Sequence, residues 1–378
     1  MLIPHLLHYL VFFIIALTVL VFVHEWGHYW VAKRCGVKIE SFSIGFGPKL
    51  FGWHDRSGTH WKVSLLPLGG YVKMFGDEDA SSKPDPWAVK QLSEEDKKLT
   101  LNHKPLWQRS AIVLAGPAAN FIFTIVVFAL VFAAVGERYT PATIGEVMPG
   151  TAAEAAGLQV GDLILSVGGQ GINRFEDVQQ VVMLHPGDLL RIKIERGGVD
   201  QEVMATPSTK EETDRFGNTQ SIGLLGIRPA GAEVIRRDSP LQAVTGAFRE
   251  TWDMTGGTLT AIWQVVKGTR PVNQMGGILS IAKMSGDTAA TGFLDFVYFM
   301  ALLSVNLGLI NLFPIPVLDG GHLLFYAIEA VRRRPLGDTA MTYSFRFGLA
   351  VVLTLALFFN WNDPQTHKLV NFVRGYIS

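Results

Sequence analysis

Apolar residues dominate four stretches of this chain: about Leu6 to Val31, Ser110 to Val135, a long run from Phe293 to Val331, and about Phe347 to Trp361. A hydrocarbon core about 30 Å thick is crossed by ~20 apolar helical residues, so the pattern predicts a multi-span α-helical membrane protein with about four transmembrane helices. The third stretch is too long for one crossing, since as a single helix it would extend about 60 Å. Pro314 and Pro316 mark where its hydrogen-bond ladder would fail. Broken backbone at membrane depth survives only where it is buried in protein or lines a water-filled cavity. No basic residue precedes the first run and no small-residue cleavage site follows it, which speaks against a removed signal peptide.

Between the second and third stretches, from about Thr140 to Pro207, the pattern changes to that of a soluble α/β domain. Ala142–Val147, Val160–Val167 and Asp188–Glu195 read as strands, and Phe175–Val182 as an amphipathic helix. Pro149 to Leu158 reads as a turn and a short helix ended by Gly157. Two flanking segments have their own character. Val37 to Phe75 alternates apolar residues with turn signals and predicts short β-hairpins, membrane-associated or capping the helices. Pro240 to Lys267 spaces Leu241, Val244, Phe248, Trp252, Leu259, Trp263 and Val266 at helical intervals, an amphipathic helix for the outer membrane surface or the bundle. The charged stretch Asp77 to Lys104 is expected to be flexible.

Basic residues orient the spans. Lys33, Arg34 and Lys38 follow the first, Lys97, Lys98, Lys104 and Arg109 precede the second, and Arg332, Arg333, Arg334 and Arg346 separate the third from the fourth. A four-span path puts all three clusters on one side, which is then cytoplasmic. The expected divisions are a first helix (1–36), a cytoplasmic-side loop (37–109), a second helix (110–136), an extracytoplasmic domain (137–230), an amphipathic linker (231–292), a broken membrane segment (293–331) and a basic loop with the fourth helix (332–378).

Composition narrows the function. Of the 378 residues, 48% are hydrophobic, as expected for a chain in contact with the lipid bilayer. The formal net charge of zero leaves no dominant basic face, so no nucleic-acid partner is expected. The single cysteine, Cys35, excludes an intramolecular disulfide and reads as an inert cytoplasmic-side thiol.

The chemistry lies inside the first span. His24-Glu25-Trp26-Gly27-His28 is an H-E-x-x-H sequence, which on a helix puts two imidazoles on one face, four residues apart, where they can share one Zn²⁺. Glu25 is then placed to act as general base. Ionisable groups at membrane depth are costly and usually functional. A catalytic zinc needs a third protein ligand, and Asp319, flanked by apolar sequence on both sides, is the best candidate.

His24-Glu25-x-x-His28 together with Asn311-x-x-Pro314-x-Pro316-x-Leu318-Asp319-Gly320 resembles the site-2 protease family of intramembrane zinc metalloproteases. Within it, the chain resembles the RseP-like bacterial branch, with a single PDZ domain where the best-known relatives carry two. The resemblance covers nearly the whole chain and implies His24, His28 and Asp319 as zinc ligands and Glu25 as catalytic base. Gly116-Pro117-x-x-Asn120 matches a further family signature, and Asn120, Asn311, Pro314 and Pro316 are candidates for substrate handling. His322 is expected beside the site rather than on the metal. The Ala156-Gly157-Leu158-x-x-Gly161-Asp162 run resembles a bacterial-type PDZ domain, a fold that captures peptide ends.

The function implied is a zinc endopeptidase of a bacterial inner membrane, with its active site toward the cytoplasmic side. Its partners would be single-span membrane protein substrates, such as an anti-sigma factor, cleaved in or near the transmembrane segment. The alternative is a non-catalytic receptor or scaffold with structural zinc and PDZ binding as its output. Structural zinc normally takes four protein ligands, against which stand three candidates and a placed Glu25.

Overall fold

The computed structural model describes residues 2–77, 91–213, 219–231, 234–236, 239–268 and 276–366. In chain order come helix α1 (Leu2–Arg34), strands β1 (Ile39–His54) and β2 (His60–Met74), the short helix α2 (Glu94–Lys97) and helix α3 (Leu106–Ala134). Next are β3 (Glu137–Tyr139), β4 (Ile144–Val147), α4 (Ala152–Ala155), β5 (Leu163–Val167), β6 (Gln170–Gly171), α5 (Phe175–Met183), β7 (Leu190–Arg196) and β8 (Val199–Ala205). Then follow β9 (Ser208–Thr213), β10 (Thr219–Leu224), β11 (Ile227–Pro229), β12 (Val234–Arg236) and α6 (Pro240–Val266). The chain ends with α7 (Ile278–Thr291), α8 (Phe293–Asn311), α9 (Asp319–Arg332) and α10 (Asp338–Asn362). It divides into two compact units, Met1–Val127 with Gly276–Ser378, and Phe128–Met275.

Among the described residues, four helical segments are long and apolar enough to cross a membrane: Leu6–Arg34, Leu106–Ala134, Phe293–Asn311 and Thr339–Asn362. The long third stretch does break. Helix α8 stops at Asn311 and α9 starts at Asp319, with Pro314, Pro316 and a left-handed Val317 (φ 90°) in the turn between them. Glycine allows the turn to close. A β-carbon at Gly320 would overlap the carbonyls of Leu312 and Phe313, so α9 packs its first residues directly on that backbone.

Two features of the first unit correct the sequence expectation. The segment 37–75 is not several short hairpins but one pair of long antiparallel strands, bent at Gly45 and Gly47 (φ 86° and 83°). Ahead of the bend, Phe42 has both Val72 and Trp61 as strand neighbours. Its ring is fully buried and stacks on Trp61 at 4.3 Å between centroids, in a core with Tyr29, Ile39, Val72, Met74, Leu101 and Ile112. The charged stretch is also not flexible throughout. Residues 78–90 lie outside the described residues, but 91–104 fold into α2 and a 3₁₀ turn at Leu101–His103. Thr100 and Leu101 are buried there, and the Lys38 N–H donates to the Leu99 carbonyl.

The strand pair is tied to α1 at its tip. Asp55 accepts from the Tyr29 hydroxyl at 2.8 Å, from the Ser57 and Thr59 N–H groups, and from the Trp61 indole. Burial alone would raise the Asp55 pKa, but donors from Ser57, Tyr29, Trp61 and Thr59 outweigh it and hold the carboxyl well below the usual range.

In the second unit, β6-β5-β7-β8 form an antiparallel sheet packed on α5 through Ile164, Ile192, Ile194, Val178, Val181 and Val182. The pairs β4–β11, β9–β10 and β3–β12 add short antiparallel ribbons. Helix α6 runs along α5. The Arg174 guanidinium bridges Asp177 and Glu250, Gln180 donates to the Asp253 carbonyl at 3.4 Å, and Gln264 donates to the Leu184 carbonyl.

Candidate metal centre

An uninterrupted α1 gives His24 and His28 the i, i+4 geometry that brings both rings to one side. The chain break before α9 delivers Asp319 to the same point. The His24 and His28 Nε2 atoms are 3.2 Å apart, and Asp319 Oδ2 is 3.1 Å from the first and 3.5 Å from the second. All three residues are buried or nearly so. Donors at two corners of a tetrahedral zinc site, each 2.0–2.1 Å from the ion, lie about 3.3 Å apart. The three separations match that edge, so the donor set fits one Zn²⁺ with a fourth corner open.

Neighbouring groups orient the donors. The His28 Nδ1–H donates to the Ile112 carbonyl of α3 at 2.9 Å, which leaves the Nε2 lone pair facing Asp319 and His24. Asn120, four residues beyond Gly116 on α3, is fully buried with its amide 3.5 Å from His24 Nδ1. Its Oδ1 has no partner when Nδ2 faces the ring. Turning the amide over puts Oδ1 against a protonated Nδ1, which satisfies the orphan oxygen and frees the His24 Nε2 lone pair for a metal.

Glu25 is held from the other side. Its carboxylate accepts the Val72 N–H of β2, and a β-carbon at Gly70 would meet Glu25 Cγ at 3.1 Å. The β2 backbone therefore lies directly on the acid.

Of the candidates from sequence, the structure brings together His24, His28, Asp319, Glu25 and Asn120. Asn311 is the last residue of α8, and Pro314 and Pro316 sit in the turn ahead of Asp319. His322 packs among Phe325, Tyr326 and Phe345, its ring 5.3 Å from that of Phe345. Sequence reasoning missed the Ile112 carbonyl and the Val72 N–H, because main-chain partners leave no residue signature. Gly116 of the Gly-Pro-x-x-Asn signature makes room for the His28 ring, since a β-carbon there would overlap Nε2.

The sequence model of peptidase family M50 matches residues 12–355. This chain belongs to peptidase family M50. An Agrobacterium fabrum protein carrying the name "putative zinc metalloprotease" is 44% identical over 94% of this chain and 95% of its own length. Metalloprotease MmpA of Caulobacter vibrioides is 39% identical over 97% of this chain and 98% of its own. The regulator of sigma-E protease RseP of Escherichia coli is 33% identical over 92% of this chain and 96% of its own. That last alignment runs over 449 positions, so RseP carries insertions absent from these 378 residues. The PDZ domain of an SdrC-like protein of Listeria innocua aligns with 26% of this chain at 20% identity and a TM-score of 0.20, too slight a likeness to argue from. The M50 chain is thus a metalloprotease whose cofactor is zinc.

Proposed function

We propose that this peptidase cleaves membrane-anchored proteins within or near their transmembrane segment, with zinc held by His24, His28 and Asp319 and with Glu25 as general base. The observation that carries the reading is the placement of these four residues on or beside helices long and apolar enough to span a membrane. Zinc bound there supplies Lewis-acid polarisation and a nucleophile at neutral pH. Glu25, anchored by the Val72 N–H, takes the proton of the attacking water and returns it to the leaving amine. Asn120 and the Ile112 carbonyl fix the tautomer and direction of the two imidazoles. The chain break from Asn311 to Asp319 and the β1–β2 pair offer backbone groups to an unwound substrate.

The basic clusters support an inner-membrane orientation with the metal centre toward the cytoplasm and residues 137–230 outside. We read that outer region as a PDZ-type module that captures or excludes the external part of a single-span substrate, an anti-sigma factor being the expected type. The test uses purified full-length protein and a model transmembrane substrate. Glu25→Gln is expected to keep about one zinc per chain and lose cleavage, while Asp319→Ala loses most of the zinc. Normal cleavage by Glu25→Gln would overturn the mechanism.

A further inference from the structure

The donors of the metal centre come from helices far apart in the chain, and something must hold those helices in register. Helix α3 touches both. One turn before Ile112, which receives His28, stands Arg109. Its Nη1 and Nη2 donate to the two oxygens of Glu329 on α9 at 3.0 and 2.6 Å, and its Nε donates to the Lys104 carbonyl at 3.1 Å. The Tyr326 ring lies 5.0 Å from the guanidinium. Both charged side chains are largely buried, at 13% and 19% exposed. A fork-on-fork pair with the remaining Nε also used fixes direction as well as distance.

Helix α9 needs such a fixture. Its first residue is Asp319, its N-cap Leu318 makes no side-chain cap, and the preceding Val317 sits in the left-handed region. Backbone contact at Gly320 and Gly321 sets how close this end comes, and Glu329, about ten residues further along, is the point where the other end of the helix is gripped. A carboxylate at the rim of a helix, 5–6 Å from the axis, swings about 1 Å for a 10° turn. Metal and catalytic geometries tolerate about 0.5 Å.

We propose that Arg109 and Glu329 are positioning residues that lock the rotation of α9 and so place Asp319 opposite His24 and His28. The inference rests on the three-residue zinc reading. The pair hydrogen-bonds to none of the three donors. It acts through α3, whose one face orients His28 at Ile112 and grips the Asp319 helix at Arg109.

The experiment measures zinc affinity of the full chain in detergent by chelator competition, with the zinc-induced rise in melting temperature as a second readout. Arg109→Ala and Glu329→Gln are expected to weaken zinc binding by about tenfold or more, the range found when groups supporting metal ligands are removed. Their zinc-induced rise in melting temperature shrinks to match. Arg109→Lys, which keeps the charge but loses the fork, falls between them and the parent. The exchange Arg109→Glu with Glu329→Arg restores affinity to within about threefold, a rescue that general loss of packing would not show. His24→Ala is run alongside. If His24→Ala loses zinc while folded Arg109→Lys and Glu329→Gln bind it as the parent does, the positioning role is wrong and the ligand reading stands. If His24→Ala itself keeps zinc, the ligand reading fails and this inference with it.

Discussion

Gly116 faces the His28 ring so closely that any β-carbon at this position would occupy the place of the Nε2 atom. The nitrogen affected is the one turned toward Asp319. Gly116→Ala is therefore expected to remove metal binding while sparing the helix, since alanine is the better helix former. Zinc affinity should fall by about 100-fold or more, beyond the usual cost of disturbing a supporting group. Metal analysis after dialysis, with circular dichroism to confirm the helices, checks this. A Gly116→Ala protein with full zinc would mean that His28 binds elsewhere.

Asn120 separates two roles. If its oxygen receives the His24 Nδ1–H, Asn120→Asp keeps an acceptor and keeps zinc, whereas Asn120→Leu keeps the bulk and loses about 10–100-fold in affinity. If Asn120 handles substrate, both variants hold zinc normally and lose only turnover. Chelator competition on the two proteins decides between them.

Asp253 on α6 faces Asp177 and Glu250 as well as Arg174 and Arg249. Burial first, then those two carboxylates, push its pKa up to about 6 against the opposing pull of the two arginines. An acid with a raised folded pKa binds more protons folded than unfolded, so its contribution is fully present below about pH 4 and is lost as pH rises through about 6. Asp253→Asn removes that loss and leaves the backbone carbonyl that receives Gln180. We expect a gain of about 1 kcal/mol at pH 7.5, discounted for partial exposure, and none at pH 4. Thermal melts at the two pH values measure it.

Orientation is open to thiol labelling in spheroplasts. A cysteine at the exposed Asn173 should react with an impermeant reagent from outside, whereas Cys35 and a cysteine at the exposed Glu95 should not. Labelling at Glu95 without lysis would invert the arrangement.

The parts legible in the sequence were those with local or compositional causes. The i, i+4 histidines and the proline break before Asp319 follow from helix geometry, and the helices at Phe175–Met183 and Pro240–Val266 follow from apolar spacing. What escaped depended on partners distant in sequence. The hairpins of segment 37–75 proved to be one bent pair because Phe42 finds a second neighbour in Trp61. Helix α7, with small residues such as alanine, serine and threonine scattered among its apolar ones, was not expected. Residues 91–104 looked like a charged linker until Leu101 found the core under Tyr29 and Ile112.

Helix α7 shows what such distance means while the chain is being made. Gly277 offers no side chain to cap it. The cap comes from the end of the last apolar helix and the residue that follows it, where Asn360 receives the Ile278 N–H at 3.0 Å and the buried Asp363 takes both the N–H and hydroxyl of Ser280. Asp363 is synthesised 83 residues after Ser280. At elongation rates of about 5–20 residues per second the ribosome needs about 4–17 s to reach it, and during that interval the first turn of α7 lacks its side-chain acceptors. Completion of the first turn of α7 therefore waits for the final helix. A nascent chain stalled or cut before Asn360 would present an uncapped helix.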